Sequence, residues 1–188
     1  MKTILITGAS SGIGRATARL LADKGYNVSL GARNIRKLEE FEETTNVSVF
    51  LVDVREYDQV RNWVEFSRAQ FGTVDALINN AGLGFFDPVV SGKIEEWHEM
   101  VDTNIKGVLN CIHAALPHLL QSEDPRVINI ASVAAHAVFP NSGVYCTTKH
   151  AVLAISDSLR TELAAKIKTT TISPGAVNTA FIDNTTNE

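Results

Sequence analysis

Six short apolar runs alternate with longer amphipathic stretches along the whole chain, and this alternation restricts the fold more than any other feature. The runs are Thr3–Ile6, Val28–Leu30, Val47–Val52, Ala76–Ile78, Val127–Ile130 and Thr170–Ile172. They are short and continuous, as strands buried on both faces must be. Between them, Gly14–Lys24, Ile35–Glu43, Tyr57–Phe71, Ile94–Leu120 and Cys146–Lys166 carry helix formers with apolar residues at helical spacing. Strand–helix alternation in this order predicts an α/β fold, a three-layer, doubly wound parallel sheet with helices on both faces. No repeat, low-complexity tract or linker divides the 188 residues, so residues 1–188 are expected to form one domain. The stretch Ile94–Leu120 is expected to hold two helices divided around Asn104–Gly107, with Gly107 as the breaker and Pro117 bending only the last turn.

Composition narrows the functional classes. Apolar residues make up 45% of the chain and charged residues 20%, an ordinary globular profile. A net charge of −4 with no basic stretch argues against a nucleic-acid partner. The two cysteines, Cys111 and Cys146, have no C-x-x-C spacing. His98, His113, His118, His136 and His150 are too scattered to complete a metal site, so neither a metal nor a disulfide framework is expected. Only His136 is placed to line a substrate pocket. The apolar part of Met1–Ile6 is too short for a signal peptide, and no apolar run reaches the ~18 residues of a membrane span. A cytoplasmic protein with no membrane partner is expected. Glu39, Glu40, Glu42 and Glu43 read as a solvated helix face.

Chemistry enters after the first strand, at Thr7-Gly8-Ala9-Ser10-Ser11-Gly12-Ile13-Gly14, which opens a helix at Arg15. A glycine-rich turn between strand and helix sets unpaired backbone N–H groups, at the positive end of the helix dipole, against a pyrophosphate. Gly8 permits the tight turn, Gly12 close approach, and Gly14 the packing of helix on strand. Gly8, Ser10, Ser11, Gly12, Ile13 and Gly14 are therefore candidate dinucleotide contacts. With this Gly-x-x-x-Gly-x-Gly spacing, the chain resembles the short-chain dehydrogenase/reductase family, whose sheet is Rossmann-type. The resemblance runs from Thr3 to about Thr179 and rests on several separated motifs in the family's order.

That resemblance implies further contacts. Asp53 would meet the adenine edge and Val54 would pack on the ring, although a strand-end aspartate also caps a following helix. In Asn79-Asn80-Ala81-Gly82, an asparagine would tie neighbouring strands, while Asn80, Ala81 and Gly82 border the cofactor. Pro174-Gly175-Ala176-Val177-Asn178-Thr179 resembles the segment holding the nicotinamide carboxamide, with Pro174, Gly175, Val177 and Thr179 as contacts.

Tyr145-Cys146-Thr147-Thr148-Lys149 is the most informative stretch. Residues four apart share a helix face, so Tyr145 and Lys149 present phenol and ammonium together. A free tyrosine, with a pKa near ~10, exchanges protons poorly at neutral pH; a lysine cation and an oxidised nicotinamide both favour its phenolate. Ser132 follows the fifth strand, where open parallel sheets place their ligands. The resemblance implies that Ser132 holds the substrate oxygen and that Tyr145 donates or accepts the proton. It gives Lys149 the ribose and the tuning of Tyr145, and Asn104 a water leading from the lysine to solvent. Cys146, about 100° away around the helix, reads as packing rather than as a nucleophile. Phe85 and Phe86 stand in a loop that borders the pocket or packs on itself.

The implied activity is oxidoreduction between NADP(H) and a carbonyl compound or secondary alcohol. NAD-selective relatives carry an acid at the end of the second strand; here that position is Ala32, followed by Arg33, with Arg36 and Lys37 close behind. Arg33 is the candidate 2′-phosphate contact. The nearest look is to NADP-dependent 3-hydroxy-acid and small-alcohol dehydrogenases. Yet no arginine in Leu83–Gly92, Val133–Val144 or Ala176–Glu188 is placed to clamp a carboxylate. A dinucleotide-binding sensor or scaffold without turnover is the alternative. Epimerase-type relatives also use Tyr-x-x-x-Lys, but usually carry Gly-x-x-Gly-x-x-Gly. A homodimer or homotetramer is expected, pairing the helices near Gly107–Leu120 and Thr147–Lys166 with their symmetry mates. The chain is also expected to be truncated, lacking the covering segment, last helix and seventh strand that follow the sixth strand in relatives.

Overall fold

Residues 1–41, 43–179 and 181 are described in the computed structural model. Asn184–Glu188, on which the expected truncation bears, and Glu42 lie outside them. Six strands form one sheet: β1 (Thr3–Thr7), β2 (Asn27–Ala32), β3 (Val47–Leu51), β4 (Ala76–Asn79), β5 (Arg126–Ile130) and β6 (Lys168–Ile172). Each predicted run coincides with a strand to within about two residues at either end. All neighbours pair in parallel, in the order β3-β2-β1-β4-β5-β6. The chain thus winds from β1 to one edge, returns beside β1 at β4, and winds to the other. Where the winding reverses, the loops after β1 and β4 diverge to opposite faces and leave a crevice beyond the strand ends.

Side chains alternate across β1, and each face has its own core. Ile4 and Ile6 join Val28, Leu30 and Ala18 of α1 (Gly12–Asp23). Leu5 joins Leu77, Val127 and the helices of the opposite face, α2 (Tyr57–Phe71), α4 (Gly107–Leu119) and α5 (Gly143–Leu163). Trp63 of α2 is fully buried there. Each such side chain contributes roughly 1.5–3 kcal/mol of burial. Most apolar residues of α4 are buried in this core, with Leu109 and, just past its end, Leu120 exposed.

Two helical expectations are corrected. Ile35–Glu43 is not an α-helix; Ile35–Phe41 forms a 3₁₀ helix. Its buried residues, Leu38 and Phe41, stand three apart, which three residues per turn bring to one face. Ile94–Leu120 is not broken at Gly107. The helix α3 (Ile94–Val101) passes into a π turn at Asp102–Lys106, which runs straight into α4. The Gly107 N–H donates to the Asp102 carbonyl with helical backbone angles, φ −58° and ψ −43°. Glycine is needed there for packing: a Cβ would stand 2.6 Å from Val54 Cγ2. Pro117 lies inside α4, near its end. Finally, α5 begins at Gly143 rather than Cys146, which places Tyr145 in its first turn. Among the described residues, no helix is long and apolar enough to cross a membrane.

Candidate active site

A cleft of about 980 Å³ runs along the crevice at the strand ends. It lies at the upper end of the range for small-molecule and cofactor sites. One wall is the turn from β1 to α1, where Gly8 and Gly12 have φ of +63° and +53°, left-handed values that suit glycine. Asn80 fastens this turn: its Nδ2 donates to the carbonyls of Thr7 (2.9 Å) and Gly8 (3.1 Å). Thr7 Oγ1 in return accepts from the backbone N–H groups of Asn80 and Ala81, both at 2.9 Å. A Cβ on Gly8 would stand 2.7 Å from Ala81 Cα, and one on Gly14 would collide with the Asn80 amide. Ser10, Ser11, Gly12, Ile13, Asn80, Ala81 and Gly82 all line the cleft.

At the end formed by β2 and β3, the lining includes Ala32, Arg33, Lys37, Asp53 and Val54. Asp53 does not cap α2, which starts after Glu56. Its carboxylate accepts from Arg55 Nε at 2.9 and 3.0 Å and from Arg55 Nη2 at 2.5 Å. Burial alone would raise the Asp53 carboxyl, but the Arg55 bonds hold it below its ordinary range. Arg33 is more than half exposed and pairs loosely with Glu99 at 3.6 Å. Arg15, Arg36 and Lys37 border a shallow depression beside Ser10–Gly12, shared with Glu39 and Glu40. Glu40 is bound by Arg15 and Arg19.

At the other end, Ser132, Tyr145 and Lys149 come together on the cleft wall. Ser132 caps the 3₁₀ turn Val133–Ala135, its Oγ accepting from Ala134 N at 3.1 Å. Burial holds the Tyr145 phenol above its ordinary pKa, and the neighbouring Ser132 hydroxyl lowers it without cancelling the rise. Lys149 Nζ stands over the Tyr145 ring, 5.8 Å from its centroid, and donates to the Ile130 carbonyl at 3.1 Å. Burial pushes this lysine down to about 8. Asn104 sits in the π turn, and its side chain is occupied. Oδ1 accepts from Leu83 N (2.9 Å), while Nδ2 donates to Leu83 O (2.8 Å) and Thr148 Oγ1 (3.0 Å).

Residues 2–188 match the family model for short chain dehydrogenases. The chain belongs to the short-chain dehydrogenase family. It is 46% identical, over 97% of its length and 77% of the relative's, to an uncharacterized oxidoreductase of Staphylococcus saprophyticus. It is 33% identical to an alcohol dehydrogenase of the archaeon Thermococcus sibiricus solved with 5-hydroxy-NADP, covering all of this chain and 82% of that one, with a TM-score of 0.92. A short-chain dehydrogenase/reductase of Burkholderia phymatum solved with NAD has the same TM-score at 29% identity, covering 97% of this chain and 68% of the other.

Several features of this short-chain dehydrogenase were not singled out in its sequence. The asparagine tying neighbouring strands is Asn79, and its partners Asn129 and Ser156 were not expected: Asn79 Nδ2 donates to Asn129 Oδ1 and Asn129 Nδ2 to Ser156 Oγ, both at 2.8 Å, a buried ladder tying β4, β5 and α5. Thr103 lines the cleft, and its buried hydroxyl has no partner among the described residues. Phe139 and Phe181 join Phe85 and Phe86 in the lining. Alternation could flag Asn129, a polar residue inside an apolar run; nothing local flags the two phenylalanines. Pro174, Gly175, Val177 and Thr179 line the cleft where expected, and the Pro174 carbonyl accepts from Val133 N at 2.9 Å. His136 is a correction. Its ring bonds Ser173 Oγ at 3.0 Å and is not part of the cleft wall. Cys146 is fully buried, with Sγ 3.3 Å from Ser142 Oγ.

The displaced Lys149 has a stability consequence. Below pH 8 both folded and unfolded chains hold the proton, and the buried charge exerts its full cost, about 3 kcal/mol for a fall from 10.5 to about 8. Between about 8 and 10.5 the native state sheds the proton first, so this cost fades as pH rises. Lys149→Met should therefore raise the melting temperature at pH 7 by roughly 5–10 °C. The gain should shrink markedly at pH 9.5, and calorimetry of the cofactor-free protein at both pH values checks it.

Proposed function

We propose that this chain moves hydride between NADP(H) and a carbonyl compound or secondary alcohol, with Tyr145 as the proton donor and acceptor. The observation that carries this reading is the meeting of Ser132, Tyr145 and Lys149 at one end of a cleft whose wall is the glycine turn. The fit of a dinucleotide is supported by that turn. Side chains at Gly8 or Gly14 would collide with Ala81 and the Asn80 amide that hold the turn, and Gly12 faces Thr179 at only 3.3 Å from a built Cβ. The NAD and 5-hydroxy-NADP of the two solved relatives support a nicotinamide cofactor.

Bound there, the dinucleotide supplies the hydride and, when oxidised, a positive charge. Ser132 Oγ holds the substrate oxygen, and Tyr145 Oη gives it a proton in reduction or takes one in oxidation. Lys149, still mostly protonated at pH 7, holds the ribose. Because burial outweighs Ser132 at the phenol, Lys149 alone does not favour the phenolate. The charge of the oxidised ring is needed beside it. Asn104, whose side chain is taken up by Leu83 and Thr148, positions the wall around the lysine.

Three outcomes test this reading. Tyr145→Phe should lower kcat at least about 1,000-fold while NADPH affinity, read by fluorescence titration, changes little, since the phenol supplies a proton rather than dinucleotide affinity. Near-normal turnover would reject the mechanism. Ala32 leaves room beside Arg33 for a 2′-phosphate, so kcat/KM should favour NADPH over NADH by about tenfold or more. Arg33→Ala should erase most of that ratio, and an NADH preference refutes the choice of cofactor. Exposed Leu109 on α4, Leu120 just after it and Phe66 on α2 support a homodimer or homotetramer. Light scattering at micromolar concentration should show no monomer.

A further inference from the structure

The charges lining the cleft are unevenly placed. Arg33, Lys37, Asp53 and Glu99 stand at the β2–β3 end, next to Ala32. Around Ser132 and Tyr145, Lys149 is the only charged side chain among the described lining residues, and it is buried beneath the ring with its donor on Ile130. Apart from the uncharged Asn141 and Ser142, the rest of that end is mainly apolar and largely aromatic: Leu83, Phe85, Phe86, Val133, Phe139 and Phe181.

These rings converge on the proton donor. Phe86 meets Tyr145 edge to face, centroids 5.2 Å apart at 69°, and Phe181 meets it in a tilted contact, 5.9 Å apart at 55°. Gly84 makes the convergence possible. A Cβ there would stand 3.0 Å from Phe86 Cζ and 3.1 Å from both Phe181 Cζ and Tyr145 Cδ2. The apolar character continues outward. Phe139 is 46% exposed, Val138 and Val89 are 70% exposed, and Val89 reaches the start of α5, 3.7 Å from a Cβ built on Gly143.

We propose that the substrate is an uncharged ketone or aldehyde carrying an aryl-sized apolar group, received by this phenylalanine wall beside Ser132 and Tyr145. This deepens, and rests on, the oxidoreductase reading above. It departs from the hydroxy acids toward which the sequence leans. A carboxylate at this end would shed its water with no cation free to replace it, whereas an aryl group gains ring contacts in the preferred edge-on geometry. In the reduction, the carbonyl carbon gains a hydride and its oxygen the Tyr145 proton. The C=O π bond is lost, NADPH is oxidised to NADP⁺, and solvent returns a proton to Tyr145.

A set of substrates sharing one reacting carbonyl tests this. Ethyl 2-oxo-4-phenylbutanoate differs from 2-oxo-4-phenylbutanoate in charge and in the small ethyl group of the ester, and from ethyl pyruvate only in its phenyl-bearing chain. With NADPH, kcat/KM for the phenyl ester should exceed that for the acid by at least about 100-fold, and that for ethyl pyruvate by about tenfold or more. Phe139→Arg, a change at a half-exposed site, should narrow the ester-to-acid ratio by about tenfold by supplying the missing cation. Wild-type protein that reduces the acid as well as the ester, or ethyl pyruvate as well as the phenyl ester, overturns the proposal. Saturation-transfer NMR on Tyr145→Phe with NADPH reads binding without chemistry. Selective saturation of the ester's phenyl protons over the acid's would uphold the pocket even if wild type reduced no carbonyl, an outcome that would remove only the oxidoreductase reading. Equal binding of ester and acid would overturn it.

Discussion

Asn80 stands where β1 and β4 end side by side, and its amide donates to two consecutive carbonyls of the turn that leaves β1. Thr7 answers with a hydroxyl that accepts two backbone N–H groups from the loop leaving β4. Parallel strands end with unpaired backbone groups, and these side chains satisfy them while pinning the two loops at a fixed separation. The glycine turn keeps its left-handed angles, the cleft keeps its width, and α1 starts where it does, because this clamp closes. Gly8 and Gly14 follow from it, since any Cβ there would strike the clamp itself.

The opposite end of the cleft is held by polar ties of another kind. Asn79, Asn129 and Ser156 connect two strands to α5 through a buried ladder. Asn104 connects the π turn to Leu83 and to Thr148, one residue before Lys149. Buried polar groups cost stability unless paired, and once paired they specify one geometry. These ties hold α5 against the sheet, so that its first turn brings Tyr145 to Ser132 and its second buries Lys149. The lysine's depressed pKa is the cost of that placement, the kind of local destabilisation expected where chemistry is done.

Much of this was legible in the chain. The short runs marked all six strands: those inside the sheet are mostly apolar because both of their faces are buried, while β6, an edge strand of sequence Lys-Thr-Thr-Thr-Ile, was marked by β-branched residues. The glycine spacing located the cradle, and the four-residue interval placed Tyr145 and Lys149 on one helix face. The helical corrections share a cause. Gly107 reads locally as a breaker, yet it is there because Val54, distant in sequence, occupies the space of its side chain. Ile35–Phe41 reads as an amphipathic α-helix, but the contact it makes through Leu38 and Phe41 needs a three-residue period. His136 reads as a pocket residue, and its ring is captured by Ser173 instead.

The sequence by itself determined the order and type of the strands, the site of the glycine turn and the residue types at the Ser132–Tyr145 end of the cleft. These depend on local periodicity, on backbone angles open to glycine and on side-chain chemistry, all of which act within a few residues. Only the tertiary structure decided how acidic each group is and what surrounds it. Arg55 rather than a helix end engages Asp53, burial rather than a neighbouring cation dominates at Tyr145, and four phenylalanines from three loops share one wall. Desolvation and ring packing depend on what the fold brings within a few ångströms, and residues as far apart in the chain as Phe85 and Phe181 carry no mark of that meeting.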